Sequence, residues 1–487
     1  MAESEALSYA VRLPMVRVYL GQLAMLLGGL SLPPAVFTAI DGERAHALAY
    51  ALVAAILGAG GWLLQRRRPD GDIQINEALV VVAAIFILAS FVLALPMMAA
   101  GVGFVDALFE AVSGITTTGL STFATLEDKP RSLLFTAAWL QWLGGIGIMV
   151  LSFALLFGQS ASAKRLTGVL AEQQGLAGGT RAYAILVIRI YAGLTLLGVV
   201  ALFAAGAGWF PAITLTLAAV STGGYAPYNA SLGGLSGGIQ NLTILLSVAG
   251  AIAMPLYHEV LRGNWRAATE DVELRTLLVA GIVVSALLAG RAFAANDGNA
   301  PALSDLIRTA FSAQTTAGFS TVAVGEFDTF SKVVLIFSMG VGGGVGSSAG
   351  GIKLLRIIVL IRLVQLTIQR TRLTPHAAVA NNIAGRTWKN DELVQILAFV
   401  GLFTAVPLVS WLPFLWFGYD PLDALFEVVS ATGTVGLSTG IAGPDLQPLL
   451  KGLLCIDMLL GRLEILPLLV LLAPRTWVGQ RRRTATL

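Results

Sequence analysis

The chain has 487 residues, of which 56% are hydrophobic and 12% charged, with a formal net charge of +3. Soluble domains carry about 25% charged residues, so this composition excludes a chain whose whole surface faces water. The single cysteine, Cys455, excludes an internal disulfide and a cysteine-only metal site.

Long apolar stretches follow one another along the whole chain. A helix of about 18 or more such residues crosses a hydrocarbon layer of roughly 30 Å. No small-residue cleavage site follows the first stretch, so we expect a permanent helix there and not a cleaved signal. The candidate spans are 16–38, 46–64, 78–99, 133–157, 183–206, 239–257, 274–290, 333–343 with 352–368, 393–417 and 450–472. The sequence therefore predicts an all-α integral membrane protein with ten spans, one of them broken.

Lysine and arginine are concentrated in alternate connections between the spans. The basic connections include 66–68, 164–181, 262–275, 356–389 and 475–483, whereas the opposite connections carry only scattered basic residues. By the positive-inside rule, this asymmetry places both termini in the cytoplasm. Because the basic residues punctuate spans and do not form one patch, nucleic-acid binding is not expected.

An internal repeat lies in the connections on the predicted outer side. Residues 105–122 and 422–439 are identical at twelve of eighteen positions without a gap. A third copy lies at 304–321, and a weaker fourth copy at 210–227 keeps the Ser-Thr-Gly-Gly core. Each copy lies between two spans, and one glycine aligns in all four. The aligned glycines are Gly119, Gly224, Gly318 and Gly436.

Each copy predicts a half-helix that enters the membrane, followed by an extended segment at membrane depth. A helix-start residue opens each copy, with Asp106, Asp305 and Asp423 as N-caps and Pro211 near the first helical position. The apolar run that follows is too short to span the membrane. The sequence thus predicts four membrane-loop-membrane repeats around a pseudo-fourfold pore, after two N-terminal transmembrane helices. The predicted boundaries are 1–70 for the two-helix extension and 71–165, 166–265, 266–380 and 381–487 for repeats one to four.

Four such segments around one axis suit a dehydrated cation. Irregular backbone within a membrane is tolerated only where it is buried in protein or lines a cavity. Extended backbone supplies rings of carbonyl oxygens, and glycine permits the positive φ that aims successive carbonyls at one axis. The half-helices would point their C-terminal ends, each with about half a negative charge, at the centre. The pattern therefore favours a cation pore.

Three further segments carry a resemblance to a known family. They are 139–150 (WLQWLGGIGIMV), 339–356 (MGVGGGVGSSAGGIKLLR) and 457–471 (DMLLGRLEILPLLVL). Together with the four copies, they resemble the Trk/Ktr/HKT superfamily of potassium transporters over nearly the whole chain, and the bacterial TrkH/TrkG pore subunits most closely. The two N-terminal spans also fit that branch. The resemblance implies potassium uptake across the bacterial inner membrane by an ion channel or transporter.

The resemblance also implies a potassium-binding selectivity filter. The filter residues would be Thr117, Thr118 and Gly119; Thr222, Gly223 and Gly224; Thr316, Ala317 and Gly318; and Thr434, Val435 and Gly436. Serine at the first of the four glycine positions accompanies sodium transport in the family, so Gly119 favours potassium.

The family assigns gating to an interrupted helix, which here falls in the third repeat. Residues 342–351 contain six glycines, each costing about 1 kcal/mol in a helix interior, so a continuous helix is not expected. Glycine stands at 344, where the family usually has cysteine. The predicted gate loop comprises Gly342, Gly343, Gly344, Val345, Gly346, Ser347, Ser348, Ala349, Gly350 and Gly351. A tight helix-helix contact through small residues is the alternative interpretation.

Arg462 lies near the middle of an apolar span, where an arginine costs roughly 2.5–3.5 kcal/mol on insertion scales. Such residues face the protein interior, and we predict an electrostatic barrier to cations just below the filter. Glu464 is a poor partner because residues i and i+2 do not face each other on a helix. Lys353, just after the glycine loop, is a second candidate for the pore wall.

The family pairs such a pore with a cytosolic nucleotide-binding ring of the TrkA type and forms homodimers in the lipid membrane. The glycine loop has nucleotide-loop-like spacing but lies in a hydrophobic span, so no nucleotide site is expected in this chain. A sodium- or proton-coupled symporter of a small solute is the main alternative, since broken helices also occur there. An intramembrane enzyme is disfavoured because no catalytic set is found.

Overall fold

A computed structural model of the chain describes residues 5–8, 10–66, 73–158, 179–295, 301–372, 382–383, 386–388, 390–478 and 480–483. Nearly all of them are helical. The long helices are Leu13–Leu30 with Leu32–Ile40, Arg44–Leu64, Ile75–Ala99, Arg131–Gly158, Gly179–Ala204, Val272–Ala295 and Asn390–Trp416. Within the described residues, seven spans are long and apolar enough to cross a membrane, and a bent pair of helices makes an eighth if it is counted as one span. The prediction of a multi-pass helical membrane protein is confirmed.

Shorter helices lie between the long ones. Four of them contain twelve residues each, and we call these the half-helices: Phe104–Ile115, Trp209–Val220, Leu303–Gln314 and Pro421–Thr432. The other short helices are Gly237–Gly250, Met254–Leu261, Trp265–Glu270, Thr329–Val341, Leu354–Arg370, Pro448–Arg462, Leu466–Leu472 and Pro474–Trp477, with a 3-10 turn at Val324–Glu326.

The expectation of a single broken span was wrong. In the described part of the chain, the predicted span 239–257 is bent by 95° between Gly250 and Met254. The predicted span 450–472 stops at Arg462 and restarts at Leu466. A proline stands at the start of each second piece, Pro255 and Pro467, and proline removes an N–H donor and disfavours helical backbone in the preceding residue.

The structure also contains two small antiparallel strand pairs, which the all-α prediction did not include. Glu5–Ser8 pairs with Gln480–Arg483, and Asn382–Ile383 pairs with Arg386–Thr387. The first pair joins segments from opposite ends of the sequence. Pairing at that separation depends on tertiary placement, which no local pattern of residues predicts.

The chain divides into two compact units. The first comprises Met1–Ala111, Leu151–Ala182 and Leu463–Leu487. Its interior contains Val11, Val16, Val80 and Val81, with Val470 and Leu471 packed against them. A buried carboxylate, Glu77, accepts two hydrogen bonds from the Arg12 guanidinium, at 2.7 and 3.0 Å. This paired charge avoids the cost of burying an isolated one.

The second unit comprises Val112–Val150 and Tyr183–Arg462. One of its cores contains Leu288, Leu306, Leu335 and Phe426, contributed by four different helices. All the predicted filter residues, the predicted gate loop and Arg462 lie in this unit. Its geometry therefore decides whether those residues can form one site.

Candidate functional site

The half-helices begin earlier than the sequence predicted. Asp305 and Asp423 are not N-caps but lie in the first turn, after N-caps Ala302 and Asp420. The side chain of Asp420 accepts hydrogen bonds from the N–H groups of Leu422 and Asp423, at 3.0 and 3.1 Å. The acidic residues remain favourable, because a negative charge in the first turn complements the helix dipole.

The other two half-helices show the same shift. Asp106 lies in the first turn of the helix that starts at Phe104. Gly208 is the N-cap of the helix that starts at Trp209, which puts Pro211 at the third helical position. Aspartate and proline are favourable at several positions of a first turn, so their presence does not show at which residue the helix begins.

The half-helices end on an unusual backbone conformation. The second residue after each half-helix is a threonine with a positive φ. The values are 56° at Thr117, 51° at Thr222, 54° at Thr316 and 50° at Thr434. Left-handed backbone is rare for a β-branched residue and costs about 1–3 kcal/mol. The same outlier at four matching positions indicates a common structural requirement, and such strain concentrates at functional sites.

Hydrogen bonds of one type hold each threonine in place. The N–H after the threonine donates to a carbonyl five residues earlier, as from Thr118 to Ser113 at 2.9 Å and from Val435 to Ser430 at 2.9 Å. The corresponding bond is 2.8 Å from both Gly223 and Ala317. This pattern closes a helix end and satisfies carbonyls that would otherwise lack donors. Each segment is therefore held mainly by its own half-helix.

The glycine two residues after each threonine brings the four segments together. Gly119, Gly224, Gly318 and Gly436 have φ values of 86°, 76°, 76° and 94°. A Cβ atom on each would collide with a carbonyl oxygen of the next segment, those of Gly223, Ala317, Val435 and Thr118 respectively. The contacts run from the first segment to the second, third and fourth and back to the first. We call residues 117–119, 222–224, 316–318 and 434–436 the four glycine segments.

The loop after Val341 is also non-helical, up to the start of the next helix at Leu354. Gly342, Gly346 and Gly351 have positive φ values of 74°, 77° and 75°. The prediction that no continuous helix forms here is confirmed.

This loop touches the glycine segments directly. The N–H of Gly350 donates to the Thr316 hydroxyl at 2.7 Å. The Thr222 hydroxyl lies 3.3 Å from the Ser348 hydroxyl oxygen. A Cβ atom on Gly350 would collide with the Gly433 carbonyl and the Thr434 hydroxyl. Glycine is needed at this position for the loop to pack against the segments.

Comparison with known proteins identifies the family. A family model described as a cation transport protein, TrkH, matches residues 45–288 and 299–477. The chain belongs to the TrkH family.

Individual members of the TrkH family align over most of the chain. The Trk system potassium uptake protein TrkH of Salmonella typhimurium is 28% identical over 479 residues, which is 94% of this chain and 98% of that protein. TrkI of Halomonas elongata, also a Trk system potassium uptake protein, is 30% identical over 460 residues, or 88% and 90% of the two chains. The crystal structure of the potassium transporter TrkH from Vibrio parahaemolyticus matches with a TM-score of 0.81 at 25% identity, covering 96% of this chain and 99% of that one.

Arg462 faces the protein interior, as the sequence predicted, and only 2% of its surface is exposed. Its guanidinium donates to the carbonyls of Ser348 at 2.7 Å and Gly144 at 3.2 Å. Arg462 thus links the gate loop to the helix that follows the first glycine segment. Lys353 is also buried, and its ammonium group donates to the carbonyl of Ala349 in the loop.

Several polar residues of the site were not predicted from the sequence. Gln141 donates to the Gly223 carbonyl at 2.5 Å and accepts from the N–H of Tyr225 at 3.2 Å. Gln314 donates to the Gly342 carbonyl at 2.8 Å and accepts from the Ser338 hydroxyl at 3.0 Å. A lone glutamine within an apolar helix is the signal that could have found Gln141, whereas the helix that ends at Gln314 also contains Asp305 and Arg308 and gives no such signal.

Two glutamates, the half-buried Glu273 and the fully buried Glu427, support the site from outside it. Glu273 accepts from the N–H of Val345 in the gate loop at 2.6 Å. Glu427 accepts from the Ser438 hydroxyl at 2.8 Å and from the N–H groups of Thr439 and Ala442, both at 3.1 Å. Glu427 therefore holds the chain that leaves the fourth glycine segment.

Proposed function

We propose that this chain takes up potassium across the cytoplasmic membrane through a pore whose selectivity filter consists of the four glycine segments. The observation that carries the proposal is their shared geometry. Four segments with matching left-handed threonines and glycines meet in cyclic order at the ends of four half-helices. A cation that passes between them would exchange its water for protein oxygens.

The backbone of each segment suits this role. The first and third residues of each segment have a positive φ, and the residue between them does not. Alternation of the two hands turns successive carbonyls towards the same side of the chain, which is how a strand can line a pore with oxygens. The nearby C-terminal ends of the half-helices favour a positive charge.

The choice of potassium rests on the relatives and on glycine. The relatives from Salmonella typhimurium and Halomonas elongata are named as potassium uptake proteins. A Cβ atom at any of the four glycines would collide with a neighbouring carbonyl, so a larger residue would displace the oxygens that bind the ion. Glycine at all four positions supports a filter of one fixed width.

We place each half-helix in a membrane-loop-membrane repeat, with boundaries at 71–165, 166–265, 266–380 and 381–487. Each half-helix lies between two helical segments in the sequence, as this arrangement requires. The pairing of Glu5–Ser8 with Gln480–Arg483 supports termini on one side of the membrane, and the basic C-terminal residues favour the cytoplasmic side.

The gate loop would obstruct the path on the cytoplasmic side of the filter in the conformation described here. Support comes from the contacts of Ser348 and Gly350 with threonines of the proposed filter, at what would be the inner end of the ion path. The buried guanidinium of Arg462 adds a positive charge next to the same loop and would oppose cation leak. Lys353 would add to this barrier.

The proposal includes partners that supply regulation. A nucleotide-binding ring of the TrkA type would bind the cytoplasmic side, and two copies of the chain would form a dimer in the inner membrane. Basic cytoplasmic connections at 164–181 and 353–389 are the candidate docking surfaces in the sequence.

Cation flux into proteoliposomes tests the proposed function. Wild type and Gly119→Ser are compared for potassium, rubidium and sodium in parallel, with Gly58→Ala as a control because a Cβ atom there meets open space. We expect potassium and rubidium to enter faster than sodium, with the preference reduced by Gly119→Ser. Flux that requires an added solute and is insensitive to Gly119→Ser would favour a symporter instead.

A further inference from the structure

The hydroxyl groups of the four filter threonines differ although their backbones match. Thr117 and Thr434 are fully buried, and their hydroxyl oxygens have no hydrogen-bond partner among the residues that the structure describes. Thr222 and Thr316 are equally buried, but their hydroxyls contact the gate loop. The loop lies against the Thr434 hydroxyl as well, at Gly350, but among the described residues it forms hydrogen bonds with the threonine hydroxyls of the second and third segments alone.

The contact at Thr316 changes what its oxygen can bind. The N–H of Gly350, 2.7 Å away, points the positive end of a dipole at the hydroxyl oxygen. The Thr222 hydroxyl lies 2.7 Å from the Ser221 carbonyl and packs against Ser348. While the loop stays in place, the Gly350 N–H occupies the Thr316 oxygen and Ser348 lies against the Thr222 oxygen, so the loop competes with a cation for both. By contrast, a buried hydroxyl without a partner is unfavourable unless an ion or water completes it.

We propose that the gate loop regulates the innermost cation site of the filter by withdrawing two of its four threonine hydroxyls. With the loop in place, only Thr117 and Thr434 can offer hydroxyl oxygens to a cation at the inner end of the filter. When the loop leaves, Thr222 and Thr316 are released and a ring of four is completed. The inference rests on the proposed function, since it assigns regulation to the same filter.

Reciprocity follows from thermodynamic linkage. If departure of the loop strengthens cation binding at the innermost site, then binding at that site favours departure of the loop by the same factor. Potassium is therefore both the transported ion and a ligand that opens its own path. A loop that only blocks the pore, without contact to the filter, would not respond to the ion in this way.

A matched pair of threonine substitutions tests the coupling. Thr316→Val and Thr117→Val remove the same hydroxyl at positions with nearly identical φ, 54° and 56°. Thr316→Val also frees the loop, so we expect basal potassium flux in proteoliposomes without a partner to rise about 2- to 10-fold, the range for one lost hydrogen bond. Thr117→Val removes only a cation ligand and is expected to lower the flux. Thr316→Ser keeps the hydroxyl and is expected to restore the wild-type rate.

Labelling of the loop provides a readout that does not depend on flux. Ser347→Cys in a Cys455→Ala background places the only thiol in the loop at a buried position. We expect potassium, compared with choline at equal ionic strength, to accelerate maleimide labelling, and Thr316→Val to accelerate it without potassium. A labelling rate insensitive to both changes would overturn the coupling.

The outcomes separate the two proposals. Wild-type protein that shows no preference for potassium over sodium contradicts the proposed function itself. Potassium-selective flux in which Thr316→Val and Thr117→Val shift the basal rate in the same direction contradicts only the coupling.

Discussion

The four glycine segments and the gate loop are both rich in glycine and left-handed backbone, but they are held in different ways. Each glycine segment is fixed mainly by backbone bonds to its own half-helix, a few residues away in sequence. Bonds from side chains distant in sequence hold the loop, among them those of Thr316, Glu273 and Arg462. Short-range backbone bonds form with the helix and persist with it, whereas scattered side-chain contacts can be released together. The difference suits the proposed roles of the two regions, a fixed filter and a movable gate.

The largest expected effect comes from disturbing the support of a half-helix. A Cβ atom on Gly461 would collide with the carbonyl of Thr432, the last residue of the fourth half-helix. We expect Gly461→Ala to lower potassium flux more than about 10-fold, because overpacking that costs about 1–3 kcal/mol is relieved by moving the filter backbone. Tracer uptake into proteoliposomes measures this.

A matched control lies on the same helix. A Cβ atom on Gly452 would meet open space, so Gly452→Ala is expected to leave flux unchanged and to raise the melting temperature slightly. Equal loss of flux in both variants would show that the close approach of Gly461 to the half-helix does not matter for the filter.

An intermediate effect is expected at the other end of the gate loop. Glu273→Ala removes the carboxylate that accepts from the N–H of Val345 at 2.6 Å. Loss of this bond leaves the N–H of Val345 without its acceptor, at a cost of about 1–3 kcal/mol, and should shift the loop towards release and raise basal flux about 10-fold. Glu270→Ala, an exposed neighbour on the preceding short helix, is the control. Unchanged basal flux in Glu273→Ala would mean that Glu273 does not restrain the loop.

The smallest effect is expected where a half-helix begins. Asp420→Ala removes the side chain that accepts from two N–H groups of the first turn. We expect a loss of about 1 kcal/mol in stability, seen as a lower melting temperature in detergent, with selectivity retained. Asp445→Ala, at another exposed position, serves for comparison. A change of selectivity in Asp420→Ala alone would indicate that the cap influences the filter as well as the helix.

The repeated element was predictable because it occurs four times. A single Thr-Gly sequence is uninformative, but alignment of 105–122 with 422–439 placed Gly119 and Gly436 in register. The weakest copy, 210–227, was placed only by its Ser-Thr-Gly-Gly core, and its Thr222 and Gly224 have the same backbone hand as the other three pairs. Glycine density likewise indicated the break after Val341.

What the sequence did not reveal depends on partners distant in the chain. The bonds from Gln141 to Gly223 and from Glu273 to Val345 join residues more than 70 positions apart. A lone glutamine in an apolar helix singles out Gln141, but no local pattern indicates which carbonyl or N–H group either side chain bonds. The breaks before Pro255 and Pro467 could have been predicted, because proline disfavours helix in the residue before it. Each of these spans was predicted as one helix because only its hydropathy was considered.

The most direct test of the central claim is to locate the ion. Crystals or grids of the full chain prepared with rubidium in place of sodium would show whether density from the heavier ion lies between the four glycine segments. We expect rubidium density on the axis that the segments surround, and we expect it to be lost or displaced in Gly119→Ser. Rubidium bound elsewhere in the protein, with none between Gly119, Gly224, Gly318 and Gly436, would contradict it.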